Sequence, residues 1–255
     1  METLFVGNNI VHLTEVDSTN SYAKALLKDV KLPEGTVIST DNQTKGKGQR
    51  GNIWATEPAA NITCSVILYP KFLSASDHFF LSKVISLAVH ATLAELLDSG
   101  NYDIKIKWPN DILVNNKKIC GTLIENAFRH EKLQESIIGI GLNVNQEDFG
   151  ELSDKATSLK LLCNKGFDKA VVLKRLLKHI EVQYLQLKQA KEASIHENYL
   201  KHLLLFGKTS TFKDLKNDGE FKGKIVDVLP NGLLIIETSK KERRKFDMKE
   251  IGFGY

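Results

Sequence analysis

The run Asp41-Asn42-Gln43-Thr44-Lys45-Gly46-Lys47-Gly48-Gln49-Arg50-Gly51-Asn52-Ile53-Trp54 sets three glycines and three cations between two apolar segments. Glycine admits positive φ and a close backbone approach to a ligand. Lysine or arginine beside free backbone N–H groups makes a pocket for an anion. The same composition also describes a solvated surface loop. It is not a dinucleotide fingerprint, because Ile53-Trp54-Ala55-Thr56-Glu57-Pro58 does not open a helix. Taken alone, the run speaks for an anion, phosphate included, and for nothing narrower.

Three more polar clusters fall at element boundaries, where sites are commonly built. Ser18-Thr19-Asn20 precedes a helical pattern. Its hydroxyls and amide suit a helix cap or, facing a pocket, a neutral polar ligand. Lys107-Trp108-Pro109-Asn110-Asp111 leads to Lys118, which has apolar Ile119, Leu123 and Ile124 nearby. Proline biases Trp108 toward an extended conformation. Lys118 either snorkels to water or points into a polar site. Gly139-Ile140-Gly141-Leu142-Asn143 puts two glycines in a strand, which marks a bulge or a place where something approaches the backbone.

The elements that must position these clusters follow from periodicity. Strands are expected at Ile10–Leu13, Thr36–Thr40, Asn61–Tyr69 and Asp103–Lys107, then at Ile112–Val114, Ile119–Glu125 and Ser136–Val144, with a hairpin turn at Asn115-Asn116. The helix after Asn20 would bury Tyr22, Ala25, Leu26 and Val30. Asp77–Leu97 carries the main core helix, and two further helices are expected at Asp168–His179 and Glu181–Leu204. Beyond Phe206-Gly207 the pattern changes to short strands at Thr209–Phe212, Phe221–Val228, Leu233–Thr238 and Arg243–Met248, which suggests a small barrel.

The chain has 255 residues, a net charge of +4 and three widely spaced cysteines. That suits one large and one small domain, gives no sign of nucleic-acid binding, and offers neither a disulfide framework nor a zinc spacing. Met1–Gly7 shows no basic stretch followed by an apolar one. No run is expected to approach the roughly 20 apolar residues that span a bilayer. The expected compartment is the reducing cytoplasm.

In order and spacing, five groups of residues resemble the biotin protein ligase family. They are Asp17-Ser18-Thr19-Asn20, then Gln43 with Gly46 to Gly51 and Trp54, then Lys107 to Asp111, then Lys118 with Gly121 and Leu123, and finally Gly139 to Asn143. The resemblance covers about residues 10 to 255. It implies an α/β (α+β) fold, with a mixed-sheet catalytic domain of the class II aminoacyl-tRNA synthetase and biotin–lipoate ligase type over 1–205 and an SH3-like barrel over 206–255. It implies an enzyme that makes biotinyl-5'-adenylate from biotin and ATP with Mg²⁺, then biotinylates a carboxyl-carrier domain.

The resemblance also assigns roles. Ser18, Thr19, Asn20 and Gln43 would contact the ureido ring, with Lys47, Gly48, Gln49, Trp54, Lys118, Gly121 and Leu123 along the rest of biotin. Gly46, Lys47, Gly48, Arg50, Gly51, Trp54, Asn110, Asp111, Lys118, Gly139 and Asn143 would line the ATP and adenylate side. Lys47, Arg50 and Lys118 would carry the reaction's charge, Asp111 would orient a lysine or a metal-bound water, and no residue would be a direct metal ligand.

The chain departs from the usual Gly-Arg-Gly-Arg-x-Gly-Arg loop at Lys47, Gln49 and Asn52. Only about ten residues precede the first strand, so the form expected is the short one without an N-terminal DNA-binding domain, with no nucleic-acid or membrane partner. The basic run Lys240–Lys245 then reads as a solvated hairpin. Family members associate through sheet edges, which allows a homodimer without selecting an edge. The competing readings are a lipoate or octanoate ligase of the same fold, and a non-catalytic biotin sensor.

Overall fold

A computed structural model describes residues 3–97 and 100–254, leaving the Arg50 side chain outside that description. Strand β1 (Ile10–Val16), helix α1 (Thr19–Asp29) and β2 (Val37–Gln43) form a unit in which the two strands run parallel. Ser18 caps α1, its side chain accepting the Ser21 N–H. The helix turns Ala23 inward, with Leu26 and Leu27 against the sheet, whereas Ala25 and Val30 are exposed. The apolar face therefore lies one position away from the expected one at its centre.

Next come β3 (Ile62–Leu68), helix α2 (Phe79–Leu96), β4 (Ile104–Lys107), β5 (Asp111–Val114), β6 (Lys117–Arg129) and β7 (Lys132–Leu142). Asn115 and Asn116 turn the β5–β6 hairpin at φ 49° and 64°. His130 and Glu131 turn the next hairpin at φ 48° and 60°, a turn the sequence reading did not pick out. The strands assemble in the order β1-β2-β3-β7-β6-β5-β4, with every pair after β1–β2 antiparallel. The fold is thus mixed α/β. All seven residues of β3 are buried, as befits a central strand.

Strand side chains alternate between faces. Val37, Val66, Leu68 and Ile138 join the large core beneath α2, while Ile38, Ile67 and Ile137 pack under α1. Segment 75–96 does have the length and mean hydropathy (1.5) of a membrane span, against expectation. Two thirds of that window (67%) is buried inside the protein, so α2 is the hydrophobic axis of the fold.

A short helix α3 (Leu159–Cys163) leads to α4 (Lys169–Lys188) and α5 (Glu192–His202). The expected break near Ile180 does not occur. The stripe Val172, Leu176, Leu177, Ile180, Tyr184 and Leu187 keeps helical spacing across it, and the chain turns at Ala190 (φ 57°) instead. Glu181 is buried and accepts N–H groups from Leu4 (2.7 Å), Phe5 (2.7 Å) and Val6 (3.0 Å), tying the N-terminal segment to α4.

The second sheet holds β8 (Thr209–Asp214), β9 (Gly219–Val228), β10 (Leu234–Thr238), β11 (Arg243–Phe246) and β12 (Ile251–Phe253), in the order β11-β10-β9-β8-β12. Strand β12 was not expected. The ladder is antiparallel and, among the described residues, not closed. It meets the rest of the fold through Trp108 in the β4–β5 turn, whose Nε1–H donates to the Gly232 carbonyl (3.0 Å), and through Lys83 on α2, whose ammonium donates to the Val228 carbonyl (2.8 Å). Of the basic run, Arg244 does not stand free: it pairs with Asp214 and lies 4.7 Å from the Phe221 ring centroid.

Candidate active site

α1 covers only part of its face of the sheet. Beyond it the face continues as Ser65 and Thr63 on β3, Gly139 and Gly141 on β7, and Leu123 and Gly121 on β6, in register as two rows: Ser65–Gly139–Leu123 and Thr63–Gly141–Gly121. Each row makes room for one side chain. A Cβ on Gly139 would fall 2.5 Å from Asn20 Oδ1, and one on Gly141 would fall 2.2 Å from Trp54 Cε2. The strand glycines are therefore close-approach positions: they seat an amide and an indole in the sheet. Above them opens a cleft of about 560 Å³, floored by these rows and lined by both polar and apolar groups.

One end of the cleft is a rack of neutral polar groups. Gln43 Oε1 accepts the Thr19 backbone N–H (2.9 Å). Ser65 Oγ lies 2.7 Å from both Thr19 Oγ1 and Asn20 Oδ1. Asn20 Nδ2 donates to Glu125 (2.8 Å) and to the Leu123 carbonyl (3.2 Å). Ser18, Thr19 and Asn20 are all buried, so hydroxyls and amides replace water there.

The other end carries charge. Lys118 sets its ammonium 2.7 Å from Asp111 Oδ1 and 5.4 Å from the centroid of the Trp54 ring. Asp111 thus forms an ion pair with Lys118 at this end of the cleft. Asn110 lines the cleft beside it and donates to the Thr122 carbonyl (2.6 Å), which fixes the turn on β6. The Trp108–Pro109 peptide in that turn is cis. Trp54 Nε1 is buried and has no hydrogen-bond partner among the described residues. Also among the described residues, no group of three or more His, Cys, Asp or Glu could hold a metal ion.

The glycine run forms a small hairpin over the cleft. The Trp54 N–H donates to the Gly46 carbonyl (3.0 Å) and the Gly48 N–H to the Asn52 carbonyl (2.7 Å). Lys47 leaves the hairpin to donate to Ser21 Oγ on α1 (2.8 Å), and Lys45 pairs with Asp17 at 3.1 Å. That hydrogen bond and charge from Lys45 hold the Asp17 carboxyl below the usual range.

Most of the expected site residues meet in this cleft: Ser18, Thr19, Asn20, Gln43, Lys47, Gly48, Gln49, Trp54, Asn110, Asp111, Lys118, Gly121, Leu123, Gly139 and Gly141. Three expected ones do not line it. Asn143 is buried, its amide donating to the Thr157 carbonyl (3.0 Å), so it fastens a loop instead. Gly46 supports the hairpin, where a Cβ would fall 2.1 Å from the Trp54 carbonyl oxygen. Gly51 serves its turn at φ +87° with open space around it. The Arg50 side chain lies outside the described residues.

A family model described as "Biotin/lipoate A/B protein ligase family" matches residues 13–143, just over half of the chain. The chain belongs to that family. A bifunctional ligase/repressor of Bacillus subtilis is 31% identical over 244 residues, covering 94% of this ligase and 73% of the relative. A biotin–[acetyl-CoA-carboxylase] ligase of Mycobacterium tuberculosis is 30% identical over 178 residues, 70% of this ligase and 65% of the relative. Among solved structures, a biotin protein ligase from Aquifex aeolicus in complex with biotin and ATP superposes with a TM-score of 0.77 at 29% identity, covering 96% of this ligase and 98% of that chain. These likenesses place it among the biotin protein ligases.

The cleft is also built from residues that motif reading passed over. Leu215, Met248 and Lys249 from loops of the second sheet, with Ile251 and Phe253 of β12, wall the cleft, and Lys107 sets its ammonium 5.6 Å from the Phe253 ring centroid. No local signal marks these residues, because their position depends on how the two sheets meet. Ser65 and Glu125 were passed over as ordinary strand residues; the signal that could have found them is register, which sets Ser65 beside Gly139 and Glu125 two positions beyond Leu123 on β6.

Proposed function

We propose that this ligase activates biotin as biotinyl-5'-adenylate and transfers it to a specific lysine of a biotin carboxyl-carrier domain. The observation that carries the reading is the polarity of the cleft: a buried rack of amides and hydroxyls at one end, a carboxylate-oriented lysine at the other, and Trp54 beside that lysine. The Aquifex aeolicus relative, in complex with biotin and ATP, supports both substrates.

A ureido ring needs donors for its carbonyl and acceptors for its N–H groups, and Thr19 and Gln43 supply both kinds, with Asn20 packed beside them. Its apolar body would lie along Leu123 and Trp54. In the first step a biotin carboxylate oxygen bonds to the α-phosphorus of ATP, and the bond to the β-phosphate breaks to release pyrophosphate. Two anions meet, so Lys118, held by Asp111, would stabilise charge that grows in the transition state. Lys47 and Arg50 would serve the phosphate from the hairpin. Mg²⁺ would arrive on the triphosphate and neutralise part of its charge. In the second step the neutral amine of the carrier lysine attacks the biotinyl carbonyl, forming an amide and releasing AMP. The hairpin, docked on α1 through Lys47 and Ser21, would keep water from the mixed anhydride until then.

The test mixes the purified ligase with biotin, MgATP and a carrier domain. The expected result is biotin-dependent pyrophosphate release and a carrier heavier by one biotinyl group. Release driven by lipoate or octanoate but not by biotin would move the ligase to that branch of the family, and biotin binding without pyrophosphate release would make it a sensor.

A further inference from the structure

We propose that Glu125, which lies outside the cleft, is a positioning residue that sets the hydrogen-bond polarity of the subsite read above as the biotin subsite. The inference rests on that reading. It starts from one amide. Asn20 Nδ2 faces two groups that only accept, the Glu125 carboxylate at 2.8 Å and the Leu123 carbonyl at 3.2 Å. Both amide hydrogens are thereby spent, and the amide cannot turn over without setting its oxygen against two acceptors. Oδ1 must then face Ser65, 2.7 Å away.

Ser65 has one hydrogen to give. Asn20 Oδ1 can only accept, so Ser65 donates to it and has only lone pairs left for Thr19 Oγ1, also at 2.7 Å. Thr19 must therefore donate to Ser65. Its other neighbouring acceptor, Gln43 Oε1, lies 3.4 Å away, much longer than the 2.7 Å Ser65 contact, and faces the Thr19 backbone N–H at 2.9 Å. With its hydrogen committed, Thr19 presents lone pairs to the cleft. Gln43, whose Oε1 faces the Thr19 backbone N–H, adds its Nε2 hydrogens as donors. The relay Glu125–Asn20–Ser65–Thr19 thus converts one carboxylate into an acceptor at Thr19, which stands beside the Gln43 donor that the Thr19 backbone N–H orients. That pattern matches a cyclic urea, which offers an N–H beside a carbonyl, and it mismatches a carboxylate or a thioether at the same spot. Gly139 is the enabling position, because any Cβ there would displace Asn20 Oδ1. Lys24 on α1 stands 3.8 Å from the far oxygen of Glu125 and holds the carboxylate from the solvent side.

The relay makes Glu125 replaceable by another acceptor but not by an apolar residue. Biotin binding without ATP, followed by titration calorimetry on the purified ligase, reads this directly. Glu125→Ala and Ser65→Ala should each weaken biotin about ten- to a hundredfold, the scale of one charge-assisted or buried hydrogen bond. Biotin KM should rise in proportion, with kcat at saturating biotin and the KM for ATP nearly unchanged. Glu125→Gln, whose amide oxygen can still accept from Asn20, should bind within about threefold of wild type. The double variant Glu125→Ala/Ser65→Ala should be no worse than the weaker single one, because both break the same chain. Should Glu125→Ala fail to fold, Glu125→Asp, which keeps the charge but shortens the reach to Asn20, is expected to show the same loss. The relay is overturned if the alanine or aspartate variant binds biotin like wild type, or if the two single losses multiply in the double variant. A wild-type ligase that takes up no biotin would instead overturn the functional reading, and the relay's purpose with it.

Discussion

Lys118 shows how much one side chain's meaning depends on its neighbours. On the strand it could snorkel to water; in the structure Asp111 and the Trp54 ring hold it at the cleft. Lys118→Ala should leave the fold intact and lower the rate of adenylate formation about 10²- to 10³-fold, the usual cost of removing one donor from developing charge. Single-turnover pyrophosphate release together with a melting curve checks both halves. Gln49 is the complementary case, a neutral residue in the cleft lining where the family's loops commonly carry arginine. A guanidinium can grip a phosphate in two places and an amide cannot. Gln49→Arg should therefore slow escape of the adenylate severalfold and reduce biotinylation of bystander proteins, measured by adenylate release and by labelling of a mixed lysate. Residue types and spacing made Thr19, Lys118 and Trp54 legible from the sequence. They misplaced Asn143, because nothing local reveals that its amide is already spent on the Thr157 carbonyl.

At the scale of elements, alternation and helical spacing foretold most strands and the main helix, since a half-buried face must repeat every two or 3.6 residues. Reading failed at the expected break between His179 and Glu181: Glu181 lies within α4, and its carboxylate is buried against the backbone of Leu4, Phe5 and Val6. Three N–H groups share that one carboxylate, so removing it leaves the buried Val6 donor and two partly buried ones unpaired. Glu181→Ala should lower unfolding free energy by about 2–4 kcal/mol, on the scale of a broken buried polar network. Amide exchange at residues 4–6 should quicken more than exchange in the central strands. Urea denaturation and hydrogen exchange give the two readouts, and an unchanged exchange pattern would deny Glu181 this anchoring role. The β7 glycines were legible as sites of close approach, but what approaches them was not. Only the register of three strands brings Asn20 and Trp54 to Gly139 and Gly141.

Across the whole molecule, the wall that the second sheet gives the cleft was not legible, because it depends on contacts far apart in sequence. Lys83 lies at that junction. It is fully buried in α2, donates to the Val228 carbonyl on β9, and sits 2.8 Å from His196 Nδ1 on α5. His196 in turn reaches Asp227 at 3.0 Å, and the rings of Phe80 and Tyr199 flank the ammonium. Burial pulls the Lys83 pKa down from 10.5 to about 8, with Asp227 opposing. A lysine lowered on folding binds fewer protons in the native state than in the unfolded chain between those two values, so its contribution to stability rises with pH across that window. Other groups work the opposite way: burial pushes the Cys64 thiol up to about 12, which costs stability as the solution becomes alkaline. A wild-type curve alone would mix the two effects, but a comparison with Lys83→Met separates them, since both proteins share the thiols and tyrosines. Relative to that variant, wild type should gain about 2 kcal/mol between pH 7 and pH 9.5, most of it above pH 8. Parallel urea unfolding series at those pH values give the difference. A flat difference would mean that Lys83 keeps its proton at the junction, with the Val228 carbonyl, His196 and Asp227 fully compensating its burial.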